Sequence, residues 1–240
     1  MPLINADSPS FKDQQLAYDR VFQAYKDKAE DANQKLKEAG IDRQNFEIFI
    51  RGFKFEEDLE VWAKNKEDDQ YKLVTTYKFC QNIGQLGPKR KEGDKQIPEG
   101  VYSLIKFNPK SDFFLSLQVN YPNESDRILS NRYAPGGLIF IHGGCETIGC
   151  IPITDSFIKE LYVLCVEARN NGQESIPIHL FPTRLNQENF QLLSDQYDDK
   201  KLIDFWSQLK KGYSYFEKNR KIPRLVIQPD GAYHFFEEKI

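Results

Sequence analysis

Residues 139–155 read IFIHGGCETIGCIPITD, and the fold is expected to be built around this stretch. An apolar run of the kind found in buried strands ends at His142. A glycine-rich turn follows, and Cys150 stands just before a segment that leads into a helix starting at Thr154. Glycines beside His142 and Cys150 permit tight turns and the close approach of another group. We therefore expect the chemistry of the chain in this stretch.

One interpretation of the stretch is nucleophilic catalysis by Cys150 with His142 as its base. A thiol attacks as its thiolate, so an imidazole that takes the proton and later returns it to a leaving amine makes it reactive. The two residues are eight positions apart, which a folded loop can bring into hydrogen-bond reach. The backbone N–H groups of Gly149 and Cys150 are then the expected donors to a developing oxyanion.

Two other interpretations of the same residues stay open on this evidence. His142, Cys145 and Cys150 are competent zinc ligands, and a tetrahedral site would need His179 or Cys80 as its fourth ligand. Alternatively, the histidine is a buried, hydrogen-bonded core residue, and the two thiols pack beside it as small apolar groups.

The rest of the chain predicts an α+β fold with a mostly β centre and helices at both ends. Helical periodicity covers 11–39, with one apolar face formed by Tyr18, Phe22, Tyr25, Ala29, Ala32 and Leu36. A helix is expected over 154–171, and helices near 189–193 and 202–216 precede a hairpin over 225–235. The predicted strands are 46–50, 59–62, 71–77, 100–107, 113–121, 137–142 and 176–181.

Composition excludes several functional classes. The chain has 240 residues, with 33 Lys+Arg against 36 Asp+Glu, so no broad basic surface for nucleic acid is expected. No run of 18 apolar residues is present, so no membrane span is predicted. The four cysteines are too sparse for a disulfide scaffold and leave the redox compartment open. The amino terminus lacks the features of a signal peptide, as in a cytosolic protein or a processed exported one.

A polar, glycine-containing loop over 84–94 carries the basic run Lys89, Arg90 and Lys91. These side chains could hold an anionic ligand, or they could simply be solvated.

The motif HGGCETIGC at 142–150 resembles the active-site signature of the L,D-transpeptidase catalytic domain, the YkuD-like fold, and more specifically its YafK-like branch. Further matching segments cover about residues 45–185 and extend into the carboxyl-terminal region. They are 93–100, 107–111, 115–123 with Asp126 and Arg127, 178–182 and 212–216.

The resemblance implies roles for residues of the motif. Cys150 would be the nucleophile and His142 the general base and acid, with the backbone at Gly143 orienting the imidazole. In two places this chain departs from the family pattern. Ile148 stands where a second histidine is usual, and Pro152 stands where a basic residue is usual, so a substrate carboxylate must be recognised from elsewhere.

Further residues are expected to contact the substrate. Arg127 and Arg132 are the candidates for binding its carboxylate, although each is also explained as a surface ion-pairing residue. Asn120, Tyr121 and Thr147 are expected around the thiol, although Tyr121 could equally be strand packing and Thr147 a turn residue. Cys80 and Cys165 are expected to be structural, and Cys145 is the weaker choice of nucleophile.

The function implied by the resemblance is acyl transfer on peptidoglycan stem peptides through a thioester at Cys150, with no cofactor. One alternative is a hydrolase or amidase that releases proteins or residues attached to the diaminopimelate of peptidoglycan, with a peptidoglycan-linked lipoprotein as a further candidate partner. A second is a non-catalytic, peptidoglycan-binding envelope protein. The expected location is the periplasm or cell envelope, with a leader already removed. The expected division is a helical extension at 1–44, a catalytic domain at 45–185 and a helical and hairpin extension at 186–240.

Overall fold

The computed structural model describes residues 8–236, and it contains an eight-stranded sheet flanked by helices. The strand order is β3-β2-β1-β8-β4-β5-β6-β7, with antiparallel neighbours except for the pairs β1–β8 and β6–β7. The sheet strands are β1 Phe46–Phe53, β2 Asp58–Asn65, β3 Lys72–Lys78, β4 Gly100–Asn108, β5 Ser116–Val119, β6 Phe140–His142, β7 Ile151–Pro152 and β8 Ile176–Phe181. This architecture confirms the predicted α+β class.

Helices and a separate hairpin complete the chain. The helices are α1 Phe11–Leu16, α2 Asp19–Glu38, α3 Glu124–Leu129, α4 Thr154–Asn170, α5 Gln187–Gln196 and α6 Lys200–Asn219, and the hairpin strands are β9 Arg224–Ile227 and β10 Tyr233–Phe236. Between residues 8 and 236, no helix is both long enough and apolar enough to cross a membrane. The predicted domain boundaries at 44/45 and 185/186 stay predictions, and parts of both terminal segments, 1–7 and 237–240, lie outside the described residues.

The predicted amino-terminal helix is two helices. Ser10 begins α1 with a capping box, and Tyr18 is extended, so the chain restarts at Asp19. This break resets the buried face of α2: Val21 and Ala24 are fully buried, while Phe22 is 61% exposed. The predicted apolar face was therefore wrong near its start. It holds farther along, where Ala32 and Leu36 join the same core as the sheet and α4.

Two predicted strands are shorter than expected. The strand predicted over 113–121 is formed only over Ser116–Val119, as β5. Phe114 has a φ of +67°, which lies outside the β region, so the strand cannot begin there. The strand predicted over 137–142 is formed only over Phe140–His142, as β6. Leu138 has a φ of +55°, and the segment before Phe140 is irregular.

The carboxyl-terminal extension packs against the carboxyl-terminal ends of β1 and β8. Trp206 and Leu209 of α6 are fully buried in a second cluster with Phe53 and Phe181. The absence of a side chain at Gly212 lets the hairpin approach α6, because a Cβ there would come within 2.6 Å of the Phe235 ring.

A buried ion pair ties the loop of residues 82–99 to the body of the protein. The Nζ of Lys54 lies 3.0 Å from Oε1 of Glu99, and both side chains are at most 1% exposed. The Glu99 carboxylate also accepts from the Gly87 N–H at 2.7 Å and from Nε1 of Trp206 at 2.7 Å. This loop is thereby joined to β1, which Lys54 follows directly, and to α6.

A disulfide joins Cys80, two residues beyond β3, to Cys145 in the connection between β6 and β7. Its two Cα atoms are 5.4 Å apart and the cysteines are separated by 65 positions in sequence. The bond therefore links the regions beside the two edges of the sheet, and the sequence does not indicate this pairing.

We predict that the double substitution Cys80→Ser/Cys145→Ser lowers the free energy of unfolding by about 4 kcal/mol, because a cross-link over a loop of this length restricts the unfolded chain. Urea denaturation of the variant and of the wild-type protein measures the change. Reduction of the wild-type disulfide should reproduce the loss, and an unchanged unfolding midpoint in both experiments would contradict the assigned bond.

Candidate active site

The short parallel pairing of β6 with β7 brings the two ends of the motif together. Ile141 lies opposite Ile151, and His142 lies opposite Pro152. One position earlier in this register, Cys150 lies beside Phe140, whose N–H donates to the Cys150 Sγ at 3.4 Å. The eight residues 143–150 form the whole connection between the two strands. His142 is therefore the last residue of β6, and Cys150 is the residue just before β7 begins.

Glycine is required at two positions of this connection. Gly143 donates to the carbonyls of Phe113 and Leu115, and a Cβ on it would lie 2.7 Å from the Phe113 oxygen. Gly149 has a φ of +130°, and a Cβ on it would lie 2.9 Å from the carbonyl oxygen of Gln96. These close approaches explain in physical terms why the motif carries glycine next to both reactive side chains.

His142 is oriented by the backbone. Its Nδ1 lies 2.5 Å from the carbonyl oxygen of Gly143, the residue expected from the sequence to orient the ring. A carbonyl only accepts, so Nδ1 carries the hydrogen and Nε2 presents its lone pair. The ring is 2% exposed and lies against the Phe113 ring, with centroids 4.5 Å apart. Burial lowers the pKa of His142 below its ordinary value, and the bond to Gly143 opposes this shift, so the neutral, basic form is favoured.

Cys150 is a free, partly buried thiol. Its Sγ accepts from the Phe140 N–H and lies 3.6 Å from the carbonyl oxygen of Leu138. Burial raises the pKa of this thiol, while the Phe140 N–H and the positive charge of Lys89 act in the opposite direction. Imidazole and thiol are therefore both neutral at rest, so nucleophilic attack by this thiol would require a base to take the Sγ proton.

Both side chains line one cavity of about 860 Å³. The walls are the segment of residues 133–140, the turn of residues 111–113, part of the loop of residues 92–95 and the motif itself. Tyr133, Leu138 and Ile148 line it with largely exposed apolar side chains, and Ile148 is 79% exposed. The thiol therefore sits in an open groove with an apolar rim, large enough for a peptide.

One of the two expected oxyanion donors, the N–H of Gly149, already has a hydrogen-bond partner within the loop. The Gly149 N–H donates to Oγ1 of Thr147 at 3.1 Å, while the same hydroxyl donates to the Cys150 carbonyl at 2.9 Å. Thr147 therefore organises the turn before Cys150, and the N–H of Gly149 is engaged in that turn. The N–H of Cys150 stays a predicted oxyanion donor.

The expected substrate-binding residues do not line the cavity. Asn120 pairs with the backbone of Ser103 through its side-chain oxygen at 2.9 Å. The Tyr121 hydroxyl lies 2.9 Å from the Pro135 carbonyl oxygen and 3.3 Å from that of Lys89, so this residue braces the cavity wall from behind. Arg127 and Arg132 are both exposed and outside the cavity lining.

Two lysines line the cavity, Lys89 and Lys95, and of these Lys89 is the buried one. Its side chain is 5% exposed, and its Nζ donates to Oδ1 of Asp94 at 2.6 Å. The sequence groups Lys89 only with two other basic residues of a loop. The signal that could have distinguished Lys89 from Arg90 and Lys91 is Asp94, five residues after Lys89. Its carboxylate accepts from the Lys89 Nζ and from the Arg90 N–H, which closes the loop.

The ligand set of the zinc interpretation is not assembled. Cys145 and Cys80 are bonded to each other, which also removes Cys145 as an alternative nucleophile. His179 is buried elsewhere, with its ring 4.7 Å from that of Phe49. Across residues 8–236, no group of three or more His, Cys, Asp or Glu side chains is arranged to hold a metal ion. Cys165, as expected, is fully buried on α4.

Comparison with solved structures finds distant likenesses. The helical cell shape determining protein Pgp2 of Campylobacter jejuni is 16% identical, with 82% of this chain and 80% of that one covered and a TM-score of 0.46. Bd1075 of Bdellovibrio bacteriovorus is 19% identical, with 78% and 79% covered and a TM-score of 0.41.

Comparison with known sequences is decisive for the family. No model of a known protein family matches the chain. Over 182 residues, however, it is 36% identical to YafK of Escherichia coli strain K12, a protein named as a candidate L,D-transpeptidase. The match covers 75% of this chain and 70% of YafK, and YafK of Escherichia coli O157:H7 gives the same values. The chain therefore belongs to the YafK family of L,D-transpeptidase-like proteins, as its HGGCETIGC motif predicted.

Proposed function

We propose that the protein is a cysteine acyl transferase that acts on the stem peptides of peptidoglycan through a thioester at Cys150. The observation that carries the proposal is the pairing of β6 with β7, which places a backbone-oriented imidazole and a free thiol in one open groove. Membership in the YafK family supports the choice of substrate.

The reaction follows from the protonation states of the two groups. The thiol proton passes to Nε2 of His142, and the thiolate forms a bond to the carbonyl carbon of the diaminopimelate residue. The tetrahedral intermediate places negative charge on oxygen, and the Cys150 N–H is the proposed donor to it. Collapse breaks the bond to the terminal D-alanine, whose amine takes the proton from the imidazolium. An amine or a water molecule then attacks the acyl carbon and gives a proton to His142, the C–S bond breaks, and the imidazolium returns that proton to the departing Cys150 sulfur.

The proposed location is the periplasm or cell envelope, where peptidoglycan lies. The Cys80–Cys145 disulfide supports this location, because such bonds persist in oxidising compartments and are rare in the cytosol.

Cys150→Ala should reduce kcat by about a thousandfold or more while the fold is retained, because the side chain that forms the covalent bond is lost. Turnover of a purified stem tetrapeptide, followed by mass spectrometry, gives the measurement. The matched control is Cys165→Ala, which removes the other free cysteine and should keep turnover. Undiminished turnover in Cys150→Ala, as another nucleophile would give, would refute the assignment, and so would the absence of turnover in the wild-type protein, as a non-catalytic binding protein would give.

The pH profile of kcat/KM should rise on its acid side with a midpoint below 6.5. Burial lowers the pKa of His142, so the basic imidazole persists to lower pH than a free histidine would. Burial raises the pKa of Cys150, so its alkylation by iodoacetamide at pH 7 should be slower than that of a free cysteine. An acid limb centred above pH 7 would be incompatible with His142 as the base.

The products formed from defined muropeptides show whether an amine or water attacks the thioester. Incubation with and without an amine acceptor should give cross-linked or exchanged products if the enzyme is a transpeptidase. Shortened stems, or peptides released from diaminopimelate, would instead identify the hydrolase or amidase, for which a peptidoglycan-linked lipoprotein is a candidate substrate. If neither class of product forms, the proposed function is wrong.

A further inference from the structure

The three basic residues of the loop at 89–91 have different environments. Arg90 donates to Asp126 at 3.1 Å, and its guanidinium lies 5.1 Å from the centre of the Phe205 ring, so it holds the loop to the protein. The Lys91 side chain is exposed and lies outside the cavity lining. Lys89 alone of the three is both buried and part of the cavity wall.

The charge of Lys89 also stands out among the groups around the cavity. Four charged side chains line it, and three of them, those of Glu92, Lys95 and Asp112, are exposed to solvent, which screens them. Lys89 is 5% exposed, so its ammonium acts through a less polar medium. It is therefore the charge in the cavity wall that solvent screens least.

The ammonium of Lys89 retains capacity for a further partner. Of its three hydrogens, one goes to Asp94 and one to the Lys91 carbonyl at 3.0 Å, which leaves one for a ligand. The Asp94 carboxylate is itself shared, since it also accepts from the backbone N–H groups of Arg90, Lys91 and Gln96. The charge of Lys89 is thus only partly offset by its acidic neighbour.

The position of Lys89 relative to the thiol follows from one wall segment. The side chain runs beside Gly136, where a Cβ would come within 2.9 Å of its Cε and 3.3 Å of its Nζ. The thiol contacts the same segment farther along, at Leu138 and Phe140. The electrostatic influence of Lys89 reaches the thiol, since its charge opposes the burial-driven rise in the pKa of Cys150.

We propose that Lys89 binds a carboxylate of the peptide whose carbonyl Cys150 attacks. This assignment rests on the proposed function for the identity of the peptide. It provides the basic group that Pro152 cannot provide and that Arg127 and Arg132, outside the cavity, do not bring to it. Two carboxylates near the scissile bond are compatible with it, that of the terminal residue and that of the diaminopimelate.

Two small thiol reagents test the site without any peptidoglycan substrate. Iodoacetate carries a carboxylate and iodoacetamide is its neutral analogue, and peptide mapping assigns alkylation to Cys150. The quantity compared is the rate constant for iodoacetate divided by that for iodoacetamide. A change in the thiol pKa or accessibility that affects both reagents equally cancels in this ratio. The ratio should be about tenfold higher for the wild-type protein than for Lys89→Met, because an ammonium near the thiol favours the anion.

Two further variants control this ratio. Lys89→Arg keeps the charge and should retain most of the wild-type ratio, whereas Lys91→Met removes one charge two residues away and should leave the ratio unchanged. A ratio in Lys89→Met equal to that of the wild-type protein would overturn the proposal. If Lys89→Met does not fold, the wild-type ratio is compared with that of N-acetylcysteine amide, and a wild-type ratio no higher than this reference would also overturn it.

Two modified tetrapeptides then identify the carboxylate. One carries a carboxamide on the terminal residue and the other a carboxamide on the diaminopimelate. The KM of the wild-type enzyme should rise about tenfold for the peptide that has lost the group bound by Lys89, and Lys89→Met should remove this difference. Equal KM values for both modified peptides and the parent would overturn the assignment to substrate. If no stem peptide is turned over, the proposed function fails, while the reagent ratio still decides whether Lys89 attracts carboxylates to the thiol.

Discussion

The site depends on one topological constraint, the return of the chain from β6 to a parallel β7 within eight residues. Parallel neighbours are usually joined by a crossover of a dozen or more residues, often through a helix. Here the connection is a tight loop, so backbone must pass close to backbone at Gly143 and Gly149. The same constraint holds His142 at the last position of one strand and Cys150 immediately before the first position of the next.

Contacts from distant parts of the chain keep this loop in place. The Cys80–Cys145 disulfide anchors it to the end of β3, and the carbonyl of Gln96 packs against Gly149 from the loop of residues 82–99. That second loop is in turn held by the buried pair of Lys54 and Glu99. His142 and Cys150 are therefore positioned by contacts with distant segments, and the loop of residues 82–99 also carries Lys89, which lines the cavity.

The family and the α+β class could be predicted from the sequence, because a strand, a glycine-rich turn and a helix start are local patterns. The roles of Cys150 and His142 as nucleophile and base stay predictions. Helix α3 could also have been found, since Asn123 and Asp126 form a capping box three residues apart. The disulfide and the burial of Lys89 could not, because each depends on contacts between segments far apart in sequence. Tyr121 shows the same limit: its apolar strand context is local, whereas its role in bracing Pro135 from behind is not.

The proposed acyl transfer requires that Cys150 forms a covalent acyl intermediate. Its most direct test is mass spectrometry of the full chain, quenched with acid during turnover of a stem tetrapeptide and then mapped by proteolysis. We expect the mass of the acyl group, the tetrapeptide without its terminal residue, on the peptide that contains Cys150. The adduct should disappear on treatment with hydroxylamine, as a thioester would. Turnover that continues with no adduct at Cys150, or with the adduct on another residue, would contradict the role of Cys150 as the nucleophile.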